Sequence, residues 1–249
     1  MHRLVTAFFA ALGGACSPAS TRAVVHAGHD NSGPGAAARP RDHAGPHEDH
    51  GPAGGHHGFA DAEAWASVFD DPARDAWQRP DDVLRALELA TTMTVADVGA
   101  GTGYFAVRLA RAVPAGEVIA TDVEPGMVRY LNERAGSEQL ANLRAIHATR
   151  TASGLAARSV DRILVVHMWH HLADRVGYAR DLSAALRPGG RLFVVDFSLS
   201  ARRGPPAELR VAPEAIIAEL AAAGLTAQLS PVTLPDQYIV EARRGPSEP

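Results

Sequence analysis

The stretch Val95-Ala96-Asp97-Val98-Gly99-Ala100-Gly101-Thr102-Gly103-Tyr104-Phe105 constrains this 249-residue chain more than any other feature. A short apolar run passes into three glycines spaced two apart and leaves in a helical pattern. Glycines at such a place let the backbone turn sharply and let a ligand approach where a Cβ would collide. In open α/β sheets that place is the carboxyl end of the strands, where ligands gather. A dinucleotide fingerprint, G-x-G-x-x-G, sets a pyrophosphate on the following helix. Here Tyr104 stands where its third glycine would fall, which disfavours a nicotinamide dinucleotide. The ligand expected instead has no pyrophosphate and packs close to the turn.

Around this turn, apolar runs of strand length alternate with amphipathic helical stretches, the pattern of a parallel sheet flanked by helices. Pro80 opens a helix over residues 81–90 that sets Val83, Leu84 and Leu87 on one face. Strands are expected at 94–98, 117–121, 143–148, 162–166 and 191–197. Helices are expected at 104–112, from Pro125 onward, and at 172–186, where Pro188, Gly189 and Gly190 stop the last. A further helix opens at Pro213 and ends at Gly224. Segments 226–230 and 237–242 close the sheet as an antiparallel pair at one edge. Ahead of all this, Trp65, Phe69 and Trp77 fall at helical spacing, a face suited to packing on the domain as a lid.

Asp122 ends the second strand, about twenty residues after the turn, where a carboxylate can accept from both hydroxyls of a ribose. The same side chain can also cap the helix opening at Pro125. Met127, one turn into that helix, can lie over a base or simply pack. Beyond the fourth strand, Val165-Val166-His167-Met168-Trp169-His170-His171-Leu172 leaves the sheet and enters a helix. His167, His170 and His171 reach the mouth of the cleft there, joined by Asp196 near the end of the fifth strand. These four are the candidates for a base. Adjacent histidines on a helix point about 100° apart, so one faces the cleft while the other packs or caps. With no third partner at ligand spacing, they predict no metal site. Arg202 and Arg203 can hold an anionic acceptor or line a solvated loop.

Taken together, Asp97-Val98-Gly99-Ala100-Gly101-Thr102-Gly103, Asp122 and Leu186-Arg187-Pro188-Gly189-Gly190-Arg191-Leu192 resemble a class I S-adenosylmethionine-dependent methyltransferase. His170-His171-Leu172 and Leu234-Pro235-Asp236-Gln237-Tyr238 also resemble its small-molecule branch, with the ubiquinone/menaquinone biosynthesis enzymes and type 11 domains. The resemblance implies a Rossmann-like, doubly wound α/β sheet of seven strands in the order 3-2-1-4-5-7-6, the last antiparallel. It implies S-adenosylmethionine as cofactor and a small-molecule methyl acceptor as partner. Gly99, Gly101 and Gly103 would approach the methionine part, Asp122 would bind the ribose, and Val123 and Met127 would border the adenine. Asp97, Ala100, Thr102 and His167 complete the cofactor-binding set. In the family an acid near the end of the third strand contacts the adenine amino group. Here Ile146-His147-Ala148-Thr149-Arg150-Thr151 has none, and Thr149 is left as a neutral acceptor contributing roughly 1 kcal/mol.

Methyl transfer from a sulfonium is an in-line displacement that demands alignment above all. Its leaving group departs neutral, so a base helps only where the acceptor must lose a proton. His170, His171 and Asp196 are the residues expected to carry that chemistry. The rival reading is a domain that binds S-adenosylmethionine or S-adenosylhomocysteine without turnover, tethered at the cell envelope.

The remainder of the chain is expected to be unlike this domain. Residues 1–16 run from a short basic start through an apolar stretch to small residues and Cys16, the outline of a secretory or lipoprotein signal. A lipid anchor on Cys16 would place the protein at the cell envelope; the cytoplasm is the alternative. Residues 17–58 are rich in Gly, Pro, Ala and His, with His26, His29, His43, His47, His50, His56 and His57 among them. Such a tract cannot bury enough apolar surface to offset ordering, so a disordered linker is expected, able at most to bind metal ions loosely. The methyltransferase-like domain then fills 59–249. A lone cysteine excludes an internal disulfide, a zinc ribbon and a cysteine-held iron–sulfur cluster. A net charge of -4 gives no basic footprint, so nucleic acid is not an expected partner.

Overall fold

The computed structural model describes residues 62–244. The expected leader with Cys16, the histidine-rich tract and the start of the domain at residue 59 lie outside the described residues.

Strand β1 (Thr94–Val98) is buried at all five positions, as a parallel strand covered on both faces must be. It pairs in parallel with β2 (Glu117–Asp122) on one side and β4 (Val160–Val166) on the other. From β2 the sheet continues to β3 (Leu143–His147), and from β4 to β5 (Leu186–Phe197). Strand β7 (Gln237–Arg244) lies antiparallel to β5 and to β6 (Leu225–Leu229) at the edge. The order is β3-β2-β1-β4-β5-β7-β6, the doubly wound sheet that the resemblance implied. Because the chain travels outward from β1 in one direction and from β4 in the other, the gap above these two strands is the topological switch point.

Alternation along the strands divides the core between two faces. Phe193 and Val195 of β5 lie in the same buried cluster as Leu109, Val113 and Leu131, the core that includes α4 (Ala106–Ala112) and α5 (Pro125–Ser137), which pack over β2 and β3. Leu192 and Val194 point the other way, to Tyr178 and Leu182 of α6 (Arg175–Ala185) and to Ile216 and Leu220 of α7 (Pro213–Ala222). Burying each such side chain contributes roughly 1.5–3 kcal/mol before conformational entropy is subtracted.

Several boundaries differ from the sequence expectation for local reasons. Asp174 caps α6 by accepting from Gly177 N at 2.8 Å, so that helix starts at Arg175, and His170 and His171 belong to a separate 3-10 turn, Trp169–His171. The Pro-Gly-Gly element ends the helix as expected but is absorbed into β5. Val160 pairs with Leu186 and Arg162 with Arg191, so the residues between bulge outward around Gly189 at φ 78°. Helix α3 (Pro80–Ala86) is shorter than expected, since Glu88 turns left-handed at φ 48°.

The expected face of Trp65, Phe69 and Trp77 is not one helix. Trp65 and Phe69 lie on α1 (Ala62–Phe69) and stack at 5.2 Å. Asp71 then caps a 3-10 turn, Pro72–Arg74, and Trp77 sits on α2 (Asp75–Gln78), which Arg79 ends at φ 51°. This broken segment runs over the carboxyl end of the sheet. Among the described residues no helix is long and apolar enough to cross a membrane.

Candidate functional site

The glycine turn is pinned to the end of β2, because Gly99 N and Ala100 N both donate to Thr121 O, at 2.8 and 3.0 Å. Gly99 and Gly103 have φ of 73° and 97°, and each is crowded on its Cβ side. A Cβ on Gly99 would lie 2.9 Å from Met168 Cγ, and one on Gly103 would overlap Leu131 Cδ2. The turn is therefore shaped by backbone alone. Phe69 of α1 packs against the corresponding face of Gly101, 3.5 Å from where its Cβ would be. The hydroxyls of Thr102 and Thr121 are buried beside the turn without a hydrogen-bond partner among the described residues.

Asp122 is tied to the same turn. Its Oδ2 accepts from Gly101 N and its Oδ1 from Glu124 N, each at 2.9 Å. Burial pushes this carboxyl up from the ordinary range, while the two backbone N–H groups pull it back. A carboxylate offers about four acceptor sites, so capacity remains for two hydroxyls. Beyond it, Val123 is 38% exposed, and its carbonyl is bonded to His147 Nε2 at 3.0 Å. Met127 is fully buried under this edge. Thr149 stands exposed after β3, with its hydroxyl accepting from Ala152 N at 3.0 Å inside its own turn. These groups fit the nucleoside of S-adenosylmethionine: a carboxylate within reach of the turn, an open apolar edge, and a cradle that a Cβ would fill.

Two strand ends away, His170 Nδ1 lies 3.0 and 3.1 Å from the two carboxylate oxygens of Asp196, both side chains being nearly inaccessible. Asp196 also accepts from Phe197 N at 2.8 Å. Burial alone would raise the Asp196 pKa; the hydrogen bond and charge of His170, with His167 and the Phe197 N–H, outweigh it and lower it. His171 is exposed, its ring 4.1 Å from that of His170. Of the three histidines, it is therefore His170 that Asp196 orients, through Nδ1.

His167 occupies the position directly after β4 in a left-handed conformation, φ 54°, and its N–H continues the ladder to Val195 O at 2.9 Å. Its ring stacks on Phe197 at 4.1 Å and on Trp77 at 5.9 Å. Burial, with the nearby Arg74 charge, lowers its pKa to about 3, so the ring is neutral. A neutral imidazole without a hydrogen at one nitrogen can accept but carries no charge. Asp97, 3% exposed, shows the converse: burial raises its carboxyl to about 7 against the attraction of Arg74.

Sequence reasoning missed the polar chain that holds the α1–α2 segment here. Arg74 Nε and Nη2 donate to Gln78 Oε1 at 3.2 and 3.1 Å, and Gln78 Nε2 donates to Gln237 Oε1 at 2.8 Å. Tyr104 donates to Asp75, and Arg134 Nη1 donates to Asp70 at 2.8 Å. Only the Arg74–Gln78 spacing of four was visible in advance. Arg203, by contrast, pairs with Asp236 at 3.0 Å and lies over the Trp77 ring, while Arg202 is largely exposed. Among the described residues no group of three His, Cys, Asp or Glu is placed to hold a metal.

Residues 95–190 match a family described as "Methyltransferase domain". The chain is 35% identical over 123 residues to a malonyl-[acyl-carrier protein] O-methyltransferase from Methylococcus capsulatus. It is 30% identical over 106 residues to a ubiquinone/menaquinone biosynthesis C-methyltransferase, UbiE, from Pasteurella multocida. These matches cover 48% and 42% of this chain, and less than half of each relative, 42% and 40%. Among solved structures, a SAM-dependent methyltransferase from Aquifex aeolicus superposes with a TM-score of 0.66 at 26% identity, over 73% of this chain and 97% of that one. The [4+2]-cyclase SpnF superposes at 0.59 and 18% identity, over 67% of this chain and 80% of that one, a likeness of fold alone. Residues 95–190 are thus similar to a methyltransferase domain.

Proposed function

We propose that the chain transfers a methyl group from S-adenosylmethionine to a small-molecule acceptor. The observation that carries this reading is Asp122, a buried carboxylate bonded to the middle glycine of the turn at the switch point, within a segment that matches the methyltransferase domain. S-adenosylmethionine, when bound, supplies a methyl group on a sulfonium, which needs no acid to help its departure. Asp122 would hold the ribose hydroxyls, and Gly99, Gly101 and Gly103 would leave room for the remainder of the molecule. Val123, which is exposed, would border the adenine, whereas Met127 packs beneath it and does not reach the open edge.

His170 would take the proton of an acceptor that must lose one, through Nε2. Asp196, bonded to Nδ1, keeps the ring in the tautomer whose Nε2 is the free acceptor and stabilises the imidazolium that forms. Trp77 and Phe197, stacked around His167, supply an apolar wall that excludes water from the same end of the sheet.

Calorimetric titration with S-adenosylmethionine and S-adenosylhomocysteine, together with transfer of a labelled methyl group into a cell extract, tests the reading. Binding of both and labelling of an extract component are expected, and Asp122→Ala should weaken both. Binding without any label transferred would favour a non-catalytic domain, and no binding would end the proposal.

For the N-terminus we propose that Cys16 carries a lipid anchor and holds the chain at the cell envelope. The support is the order of basic, apolar and small residues ahead of the cysteine. Cys16→Ser should move the protein from the membrane to the soluble fraction; unchanged fractionation would remove the lipid anchor.

A further inference from the structure

Arg74 is a cation held beside the turn, near enough to Asp70 and Asp97 to be attracted by both but, among the described residues, hydrogen-bonded to no carboxylate. Its three hydrogen bonds go to neutral oxygens, Nη1 to Phe69 O at 2.8 Å and Nε and Nη2 to Gln78 Oε1. Among the described residues no carboxylate lies within salt-bridge distance of it. A guanidinium has five N–H groups, so two of them, one on each terminal nitrogen, have no acceptor among the described residues. The group lies over the Tyr104 ring, 3.9 Å from its centre, one residue beyond the last glycine of the turn. Its charge is felt by Asp97 near the end of β1 and by His167 after β4, which sets it above the two strands that flank the switch point. Burial works against the cation there and lowers its pKa. A partly desolvated guanidinium with unused donors costs free energy unless an anion completes it.

The ligand proposed for the turn carries one anion, the α-carboxylate of its amino-acid tail. Arginine suits a carboxylate because its planar donors match two oxygens at once. We propose that Arg74 is the receptor for that carboxylate, and that it thereby fastens the α1–α2 segment over the ligand. The inference rests on the methyl-donor reading above and adds a residue that none of the sequence motifs contained. Arg74 reaches the turn only because the Asp71-capped 3-10 turn carries it there, and Phe69, five residues earlier, packs on Gly101. Binding of a tail-bearing ligand and docking of this segment are then one event.

The test compares two ligands that share the nucleoside and differ in the tail. S-adenosylhomocysteine has the amino acid, and 5′-methylthioadenosine lacks it. Affinities of both are measured by calorimetry on the full chain, for the natural protein, Arg74→Gln and Arg74→Lys. Arg74→Gln should weaken S-adenosylhomocysteine by about 10- to 100-fold, as loss of a charged hydrogen-bond pair implies. Methylthioadenosine should be held as before within about twofold, and Arg74→Lys should fall between. Equal loss for both ligands would make Arg74 a structural residue and overturn the proposal, as would no loss for either. If Arg74→Gln fails to fold by thermal unfolding, Arg74→Lys decides, since it keeps the charge and loses the fork. Failure of the natural protein to bind either nucleoside would overturn the methyl-donor reading itself, a result separate from a tail-independent affinity.

Discussion

His170 and Asp196 are joined end to end, Nδ1 to carboxylate at 3.0 Å, across the carboxyl ends of neighbouring strands β4 and β5. Twenty-six residues apart in the chain, they meet because β4 and β5 run parallel and in register up to Val166 and Val195. If His170 is the base, His170→Ala should lower methyl transfer by about 10²- to 10⁴-fold while leaving S-adenosylhomocysteine affinity nearly unchanged. Asp196→Asn should lower it too, because the orienting bond to Nδ1 becomes neutral. Turnover of labelled donor, alongside calorimetry, checks both variants; a loss of affinity as large as the loss of rate would remove His170 from the chemistry.

Asp122 should govern affinity instead. Its two oxygens already serve Gly101 and Glu124, and the ribose would take the remaining acceptor capacity. Asp122→Asn keeps the shape but weakens every one of these bonds, and a loss of about 10-fold or more in affinity for S-adenosylmethionine is expected. Calorimetric titration reads it directly.

Two glycines should respond to alanine with opposite signs. At Gly103 the backbone is left-handed and a Cβ would meet Leu131 Cδ2, so Gly103→Ala should destabilise by about 1–3 kcal/mol. Gly136 lies in α5 with nothing near its absent Cβ. There Gly136→Ala should stabilise by about 0.5–1 kcal/mol. Denaturant unfolding of the two variants tests the pair.

Asp97 makes stability depend on pH. The folded chain holds its proton up to about 7, whereas the unfolded chain releases it near the ordinary 3.8. Stability from this group is therefore full at low pH and is lost as pH rises through 7, a change on the order of 4 kcal/mol. His167 acts with the opposite sign: with a folded pKa of about 3 against 6.5, it costs stability as pH falls below 6.5. Asp97→Asn should stabilise the protein near pH 8 and change little near pH 4. Unfolding midpoints at the two pH values would show a flat difference if Asp97 were instead ionised throughout.

Much of the fold could be read locally. Residues 94–98 were bounded correctly because Thr94, Val95, Ala96 and Val98 are apolar or β-branched and the glycine turn ends the run at once. Asp122 was legible from its distance to the turn, and its bond to Gly101 joins the two motifs that pointed to it. The split between α1 and α2 was not, since helical spacing continues through Asp71-Pro72 on paper while the capped 3-10 turn redirects the chain. Nor could Thr149 be judged, whose hydroxyl turns out to be engaged by its own loop.

The amino-acid order alone determined the alternation of strands and helices, the backbone-lined turn and the acid two elements later. These follow from periodicity and from what glycine and aspartate can do within a few residues. Only the tertiary structure decided that Asp196 selects His170 over His171, and that Gln78 meets Gln237 across 159 residues. It also decided that Arg74 stands over the switch point. Contacts between distant segments depend on how the strands stack and where the chain returns, and no spacing in the sequence records that geometry.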